Sequence, residues 1–313
     1  MKKTNLIAVL ALAATPAFLH AQTTSYSEVV GYNTLSFPAG NSVQSATFIK
    51  PSIFQGAATS KTSNSLTVSS ASFGSLGPVS GLPTHYVKIT SGAMEGYVLD
   101  ILSNTSTSVT VDGSLADSGA TPSFVIRPHV KASDLFSGNT SLAAGLDTLT
   151  LFNDNGTSTV LLWVGSDSAT GWVDVATEAP IDGVVYPGQG FLLTTNGSGS
   201  FRFQGTVETT PTVVPLFPGA VNLVTRGSPG TAGLALQSSG LGQNMSPGLD
   251  TVQFLSADGQ LSSESVYIWA GLSDGFVDVV SEAPASVSVA SAQVLNVTVV
   301  SPATWKADPP INP

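Results

Sequence analysis

Apolar and polar residues alternate with a period of two along many short stretches of this 313-residue chain. A period of two predicts β-strands, because successive side chains of a strand point to opposite faces of its sheet. Two hairpins are the clearest, 160–164 with 172–175 and 266–269 with 276–279, each joined by a turn rich in Gly, Ser and Asp. Further stretches have the same character: 34–37, 66–69, 85–90, 97–101, 108–111, 124–127, 191–194, 201–204 and 294–300. No amphipathic helix is evident, so the pattern predicts an all-β chain.

Four sequence blocks occur twice, in the same order. The first set is Gly-Leu-Asp-Thr at 145–148, Trp163, Gly-Trp-Val-Asp-Val at 171–175 and Glu-Ala-Pro at 178–180. The second set is Gly-Leu-Asp-Thr at 248–251, Trp269, Gly-Phe-Val-Asp-Val at 275–279 and Glu-Ala-Pro at 282–284. Ordered blocks at a nearly constant offset predict an internal duplication.

The segment between the two sets, 206–215, is rich in Thr and Pro and is expected to form an extended linker. We therefore predict two tandem β-sandwich-like repeats, a first β domain at 22–208 and a second at 209–313. The stretch of about 55–128 has no counterpart in the second copy, which predicts a small β-rich insertion in the first domain.

The N-terminus has the order of a signal peptide. Lys2 and Lys3 precede an apolar run, and small residues follow it, so residues 1–21 are predicted to be removed before Gln22, with cleavage after Ala17 as an alternative. No later apolar run reaches the roughly 20 residues of a membrane span. We expect an extracellular or cell-surface protein, with the periplasm possible, and no integral membrane segment after signal removal.

Composition narrows the functional classes. The chain has no cysteine, so its stability has to come from packed cores rather than disulfides. Its net charge is −10 with only 10 Lys and Arg, which disfavours nucleic acid as a partner because phosphate neutralisation needs a basic face.

Three stretches carry a resemblance to a known family: Val-Gly-Tyr-Asn-Thr-Leu at 30–35, His-Tyr-Val-Lys-Ile-Thr-Ser-Gly at 85–92 and Phe-Val-Ile-Arg-Pro-His at 124–129. With the paired aromatic hairpins and Trp305, they resemble an uncharacterised family of secreted β-rich repeat proteins from verrucomicrobia-like bacteria. The resemblance implies export and a tandem β architecture, and it implies no activity.

The motifs that could carry catalysis favour structural interpretations. Gly271–Gly275 matches the Gly-x-Ser-x-Gly pattern around Ser273, but the flanks are strands and no histidine follows. The acid pairs Asp174/Glu178 and Asp278/Glu282 lie at predicted turns, where a carboxylate can cap backbone amides. We therefore predict no catalytic residues and no enzyme activity.

No metal ligands and no cofactor are predicted. Without cysteine, and with only His85 and His129 in the mature chain, a zinc site lacks ligands. The turns at 153–156 and Asp258-Gly259 superficially suggest calcium, but hairpin turn chemistry explains both. Calcium stays open, since backbone carbonyls can contribute to such a site.

Aromatic residues flank both hairpin turns, namely Trp163, Trp172, Trp269 and Phe276. Alternation places them on one face and the aliphatic residues on the other, and two interpretations follow. If the aliphatic face is the core, the aromatics form an exposed surface that could bind sugar rings or a neighbouring molecule. If the aromatics are the sandwich core, they cannot form such a binding surface.

The functional expectation is a secreted or cell-surface structural or matrix protein that self-associates. The alternative is a carbohydrate-binding surface module that uses these aromatics.

Overall fold

A computed structural model describes residues 28–136, 141–165, 168–226, 233–255, 265–290 and 293–309. Its regular secondary structure is almost entirely antiparallel strands, which form several sheets, and this confirms the all-β prediction. The predicted signal peptide and the Asp258-Gly259 turn lie outside these ranges. No helix within them is long and apolar enough to cross a membrane.

The first unit is a two-layer sandwich. One layer is a five-stranded sheet with the order β13-β12-β11-β15-β2. The other is the long antiparallel pair of β1 and β16, which come from opposite ends of the unit, flanked by the short pair β10-β14 and one helical turn, α1. The elements are β1 (Val30–Phe37), β2 (Gly40–Ser45), β10 (Val130–Lys131), α1 (Ala132–Leu135), β11 (Thr148–Phe152), β12 (Ser158–Trp163), β13 (Trp172–Asp174), β14 (Val184–Val185), β15 (Gly190–Thr195) and β16 (Gly199–Thr206).

The core of this unit lies between its two layers. Leucines on the inner face of the five-stranded sheet pack with an aromatic group contributed by both layers, Phe37, Phe136, Trp172, Phe191, Phe201 and Phe203. The rings contact one another in tilted and edge-on arrangements, as at Phe136 and Trp172, whose centroids are 5.4 Å apart. Aromatic burial of this extent supplies the packing that a cysteine-free chain requires.

Between β2 and β10 the chain forms a separate small barrel. Its strands are β3 (Phe54–Ala57), β4 (Ser60–Lys61), β5 (Ser65–Thr67), β6 (His85–Ile89), β7 (Val98–Asn104), β8 (Ser108–Val111) and β9 (Ser123–Pro128). Neighbouring strands in the sheet have the order β3-β9-β6-β7-β8-β5-β4. The two ends of this order, β3 and β4, are separated by two residues only, so one bent stretch of chain supplies both edges of the sheet, and the sheet curls into a barrel-like shape. The barrel has a hydrophobic core of its own, which includes Leu66, Val87, Ile101 and Phe124.

The second unit repeats the layout of the first without the barrel. Its five-stranded sheet has the order β22-β21-β20-β24-β18, and β17-β25 forms the opposite layer. The strands are β17 (Thr212–Leu216), β18 (Asn222–Thr225), β19 (Leu234–Ala235), β20 (Thr251–Phe254), β21 (Val266–Trp269), β22 (Phe276–Asp278), β23 (Ser288–Val289), β24 (Val294–Thr298) and β25 (Ala303–Ala307), and two 3₁₀ helices span Leu236–Ser238 and Leu241–Asn244.

Strand order and register agree between the two units. Thr148 pairs with Thr194 and Thr251 with Thr298, and the aromatic pair Trp163↔Trp172 has the counterpart Trp269↔Phe276. The sequence blocks that occur twice therefore occupy the same strands and turns in both sheets.

The segment predicted to be a linker is extended, but it packs against the barrel. Residues up to Thr206 belong to β16, and β17 begins at Thr212. Lys88 of β6 has a fully buried side chain whose ammonium lies 2.7 Å from a carboxylate oxygen of Glu208. The same ammonium donates to the carbonyl oxygen of Thr210 and to the hydroxyl of Thr212. The amide of Val213 donates to the carbonyl oxygen of Gly96 in the barrel, 2.9 Å away.

The two five-stranded sheets also contact each other directly. Val43, Leu223, Leu255 and Val294 form a small buried cluster between them, with Phe152 and Leu192 packed against it. Gly190 lies in this contact, where a Cβ atom would approach Val294 and Leu223 too closely. Separating residues 209–313 from the rest of the chain would expose these contacts.

We predict that Glu208→Gln lowers the free energy of unfolding by roughly 3 kcal/mol or more, because it leaves the ammonium of Lys88 buried without its charged partner. Glu95→Gln is the matched control. Its partner Lys306 is exposed, at 3.1 Å, and an exposed pair contributes about 1 kcal/mol or less. Urea unfolding measures both variants, and equal losses would contradict the role assigned to Lys88.

Candidate functional site

The structure corrects the expectation that the paired aromatics form an exposed surface. Trp172, Trp269 and Phe276 expose 0%, 7% and 1% of their surface, and Trp163 is half-buried against the core. The ring centroids are 5.1 Å apart in the Trp163–Trp172 pair and 4.9 Å apart in the Trp269–Phe276 pair. These residues are therefore core aromatics, and their cross-strand contact stabilises one hairpin in each unit.

Burial of the aromatics places the aliphatic residues of the same hairpins on the outside. Leu162 pairs with Val173 and Ile268 with Val277, and alternation puts their neighbours two residues away on the same face. We call these sets the aliphatic outer faces: Val160, Leu162, Val173 and Val175 in the first unit, and Val266, Ile268, Val277 and Val279 in the second. None of the eight is fully buried, and Val160, Val175 and Val279 are 38%, 50% and 51% exposed.

In each repeated acid pair the aspartate caps backbone amides, as the sequence predicted. Asp174 accepts hydrogen bonds from the amides of Ala176 and Thr177, both at 2.8 Å. Asp278 accepts in the same way from the amides of Val280 and Ser281. These bonds from Ser281 and Val280 lower the pKa of Asp278. The carboxylates thus stabilise the turns that follow β13 and β22.

Each of these turns brings the chain back along the outer edge of its sheet. The amide of Asp174 donates to Ala179 and that of Ile181 donates to Trp172, so Pro180 lies on the edge. Proline lacks an N–H group, and its presence at an edge discourages pairing with another strand. Pro284 has the same place in the second unit.

The buried aspartates of the Gly-Leu-Asp-Thr blocks are also backbone acceptors. Asp147 accepts from the amides of Ala143 and Asn196, at 2.8 and 2.7 Å, and so joins the turn before β11 to the end of β15. Asp250 accepts from Ser246 and Val300 in the second unit. Both carboxylates are 1% exposed or less, which suits groups that hold two loops together.

Ser273 lies on an exposed turn between β21 and β22, as its strand flanks predict. Its hydroxyl donates to the carboxylate of its neighbour Asp274, at 3.1 Å. The strand-to-helix geometry of a hydrolase nucleophile is not present at this position.

A separate group of carboxylates lies where the barrel meets the first unit. Asp100 of β7, Asp112 immediately after β8 and Asp154 of the β11–β12 turn each offer an oxygen, and these oxygens lie within 4.8 Å of one another. Asp100 accepts from Nε2 of His129 at 2.7 Å and from the hydroxyl of Tyr186 at 3.0 Å. Asp112 accepts from the amide of Asp100 at 2.9 Å.

Three negatively charged carboxylates are crowded together in this group, and they repel one another. Partial burial, together with the negative charges of Asp100 and Asp154, raises the pKa of Asp112 to about 6. Burial and the charge of Asp100 also raise the pKa of Asp154. A positive charge placed beside Asp112 and Asp154 would relieve this repulsion.

Sequence reasoning found only part of this group. Asp154 belongs to the Asn-Asp-Asn-Gly turn that superficially suggests calcium, but Asp100 and Asp112 carry no recognisable spacing. They approach Asp154 only because the barrel packs on the first unit, which a linear pattern does not reveal.

Comparison with protein-family models, with curated proteins and with solved structures found no match. The resemblance to secreted repeat proteins accordingly stays an expectation.

We predict that Trp172→Ala lowers the free energy of unfolding by roughly 3–5 kcal/mol, because it leaves a cavity at a fully buried aromatic. Trp172→Phe should cost less, since it keeps a ring and removes an indole N–H that has no partner among the described residues. Trp163→Ala is the comparison at the half-buried position. Denaturant unfolding checks the order, and a Trp172→Ala loss no larger than that of Trp163→Ala would be inconsistent with it.

Proposed function

We propose that this chain is an exported structural protein that assembles with further copies of itself in an extracellular layer or matrix, without catalytic activity. The observation that carries the proposal is the pair of aliphatic outer faces. Exposed apolar patches on a protein commonly mark contact surfaces. Two such faces on one chain are what an extended assembly needs, because a single face would stop at a dimer.

The closed sheet edges support the same mode of assembly. Pro180 and Pro284 lie on the outer edges of the five-stranded sheets, so further copies are expected to pack on the faces rather than to add strands. The agreement of strand order between the two units supports an internal duplication, which would have doubled the contact face in one step.

Export to the cell surface or beyond is part of this proposal and rests on residues 1–21. The cysteine-free composition and the structural use of the repeated carboxylates are consistent with a non-catalytic role.

Charge placed on the outer faces should stop assembly. We predict that Val175→Glu and Val279→Glu each leave only one competent face, so that oligomers end at dimers if like faces pair, or at monomers if unlike faces pair. The double variant should be monomeric. Sedimentation velocity over a range of concentrations measures the size distribution, and circular dichroism checks the fold.

Val79→Glu is the matched control, because Val79 is 63% exposed on the barrel, away from both faces. It should assemble as the parent chain does. A parent chain that stays monomeric at high concentration, or a double variant that assembles normally, would refute the self-association proposal.

A carbohydrate-binding role is the second candidate. Because the aromatics predicted to bind sugars are buried, this candidate relies on a different aromatic residue, Tyr32. Tyr32 of β1 is 72% exposed and borders an open groove with Arg202, whose guanidinium lies 5.7 Å from the centre of the tyrosine ring. The ion pair between Lys50 and Asp134, 2.6 Å apart, lines the same groove. An exposed ring beside polar groups is the arrangement that stacks on and hydrogen-bonds a sugar.

We predict that Tyr32→Ala abolishes retardation in native gels that contain xylan, laminarin or hydroxyethylcellulose, if any of these retards the parent chain. Tyr97→Ala, at a 36% exposed tyrosine of the barrel, is the control and should migrate as the parent does. Absence of retardation by all three polymers, or retention of it in Tyr32→Ala, counts against this groove as a site for them.

A further inference from the structure

Three carboxylates from distant parts of the chain meet at the barrel junction. Asp100 and Asp112 belong to the barrel, and Asp154 to the first unit, yet one oxygen of each lies within 4.8 Å of the others. Calcium binds oxygen ligands at about 2.3–2.6 Å, so two ligands on opposite sides of the ion are about 5 Å apart. The three oxygens therefore fit within one calcium coordination sphere.

Little positive charge balances these groups. Among the described residues, His129 is the one potentially cationic side chain that hydrogen-bonds a member of the group, through Asp100. Lys and Arg side chains in the described ranges form their ion pairs elsewhere, with Asp134, Glu208, Glu28 and Glu95. Three crowded carboxylates beside a single imidazole repel one another unless a cation is bound.

A second, independent feature points to a ligand at the same place. Asp112 and Asp154 line a cavity of about 200 Å³ together with Gln189 and Tyr186. Gln189 is only 7% exposed, and its side-chain oxygen is buried with no hydrogen-bond partner among the described residues. An unsatisfied buried amide oxygen is costly, and amide oxygens are ordinary calcium ligands.

We propose that Asp100, Asp112 and Asp154, with the side-chain oxygen of Gln189, form a calcium-binding site that joins the barrel to the first unit. All four donors are oxygen, which favours calcium over zinc, a metal that prefers nitrogen and sulfur. The fit to calcium is better than to magnesium, since magnesium demands short, near-octahedral contacts that residues from three separate elements seldom provide.

The neighbouring groups hold the site in position. His129 and Tyr186 donate to the two oxygens of Asp100, which fixes the plane of that carboxylate and leaves further lone pairs for the ion. Because the ligands come from both the barrel and the first unit, bound calcium would cross-link them. Calcium should therefore raise the unfolding temperature, since it binds the folded chain and not the unfolded one. This inference does not depend on self-association.

The test uses the full exported chain, freed of metal with EDTA and dialysed. Terbium reports the site directly, because Tyr97 and Tyr186 line the cavity and can sensitise its emission. We expect saturable terbium emission that calcium displaces and magnesium does not, with calcium half-saturation at about 0.1–1 mM, the range of extracellular modules. Absence of saturable binding of both ions overturns the proposal.

Variants separate this site from other carboxylates. Asp112→Asn and Asp154→Asn should each weaken calcium binding at least about tenfold. Without calcium they should unfold at the same temperature as the parent chain or higher, because one repelling charge is gone. Asp117→Asn, at an exposed aspartate of the barrel outside the group, is the control and should bind calcium as the parent does. Unchanged binding in both site variants, or equal loss in the control, overturns the proposal.

Gln189→Met tests the fourth ligand, since it keeps the length of the side chain and removes the carbonyl oxygen. We expect weaker calcium binding with an unchanged or higher unfolding temperature in the metal-free chain. Calcium affinity equal to that of the parent overturns the assignment of Gln189, and with it the site as proposed.

Discussion

The arrangement of the three parts depends on the buried ammonium of Lys88. A charge with no exposed surface has to be partnered, and the partners are Glu208 and Thr210 in the connection between the two sandwich units and Thr212 at the start of β17. Burial lowers the pKa of Lys88, and the carboxylate of Glu208 opposes this effect. The barrel thus holds the connecting segment in place, and the first unit, the barrel and the second unit meet at one polar junction.

Carboxylates elsewhere in the chain accept hydrogen bonds from backbone amides and so hold turns and strand ends in place. Asp147 and Asp250 each join a turn to a strand end, and Asp174 and Asp278 close the turns that cover the sheet edges. Such bonds matter in a chain with no disulfides, because loops that cannot be cross-linked covalently have to be held by hydrogen bonds and packing. These acids recur in both units and accept equivalent backbone hydrogen bonds in each.

The surfaces left after these requirements are met suggest how the protein acts. The chain covers the outer sheet edges at β13 and β22, while the aliphatic outer faces are at least partly exposed in both units, which favours packing of faces over addition of strands. The carboxylates at the barrel junction form a different kind of feature, the proposed cation site, which would make the rigidity of the chain depend on calcium. The proposed assembly and the proposed metal binding involve separate residues, so each can fail without the other.

The sequence by itself determined many of the strands, the two hairpins with their aromatic pairs, and the turn-capping role of Asp174 and Asp278, because alternation and turn chemistry are local properties. Other strands, such as β2 and β11, were not predicted. Alternation defines two faces but does not say which one is covered, so the burial of Trp172 was decided only when β1 and β16 packed against the sheet. The proximity of Asp100 and Asp154 likewise could not be predicted from the sequence. Its members lie on elements that are distant along the chain, and only the docking of the barrel on the first unit brings them into contact.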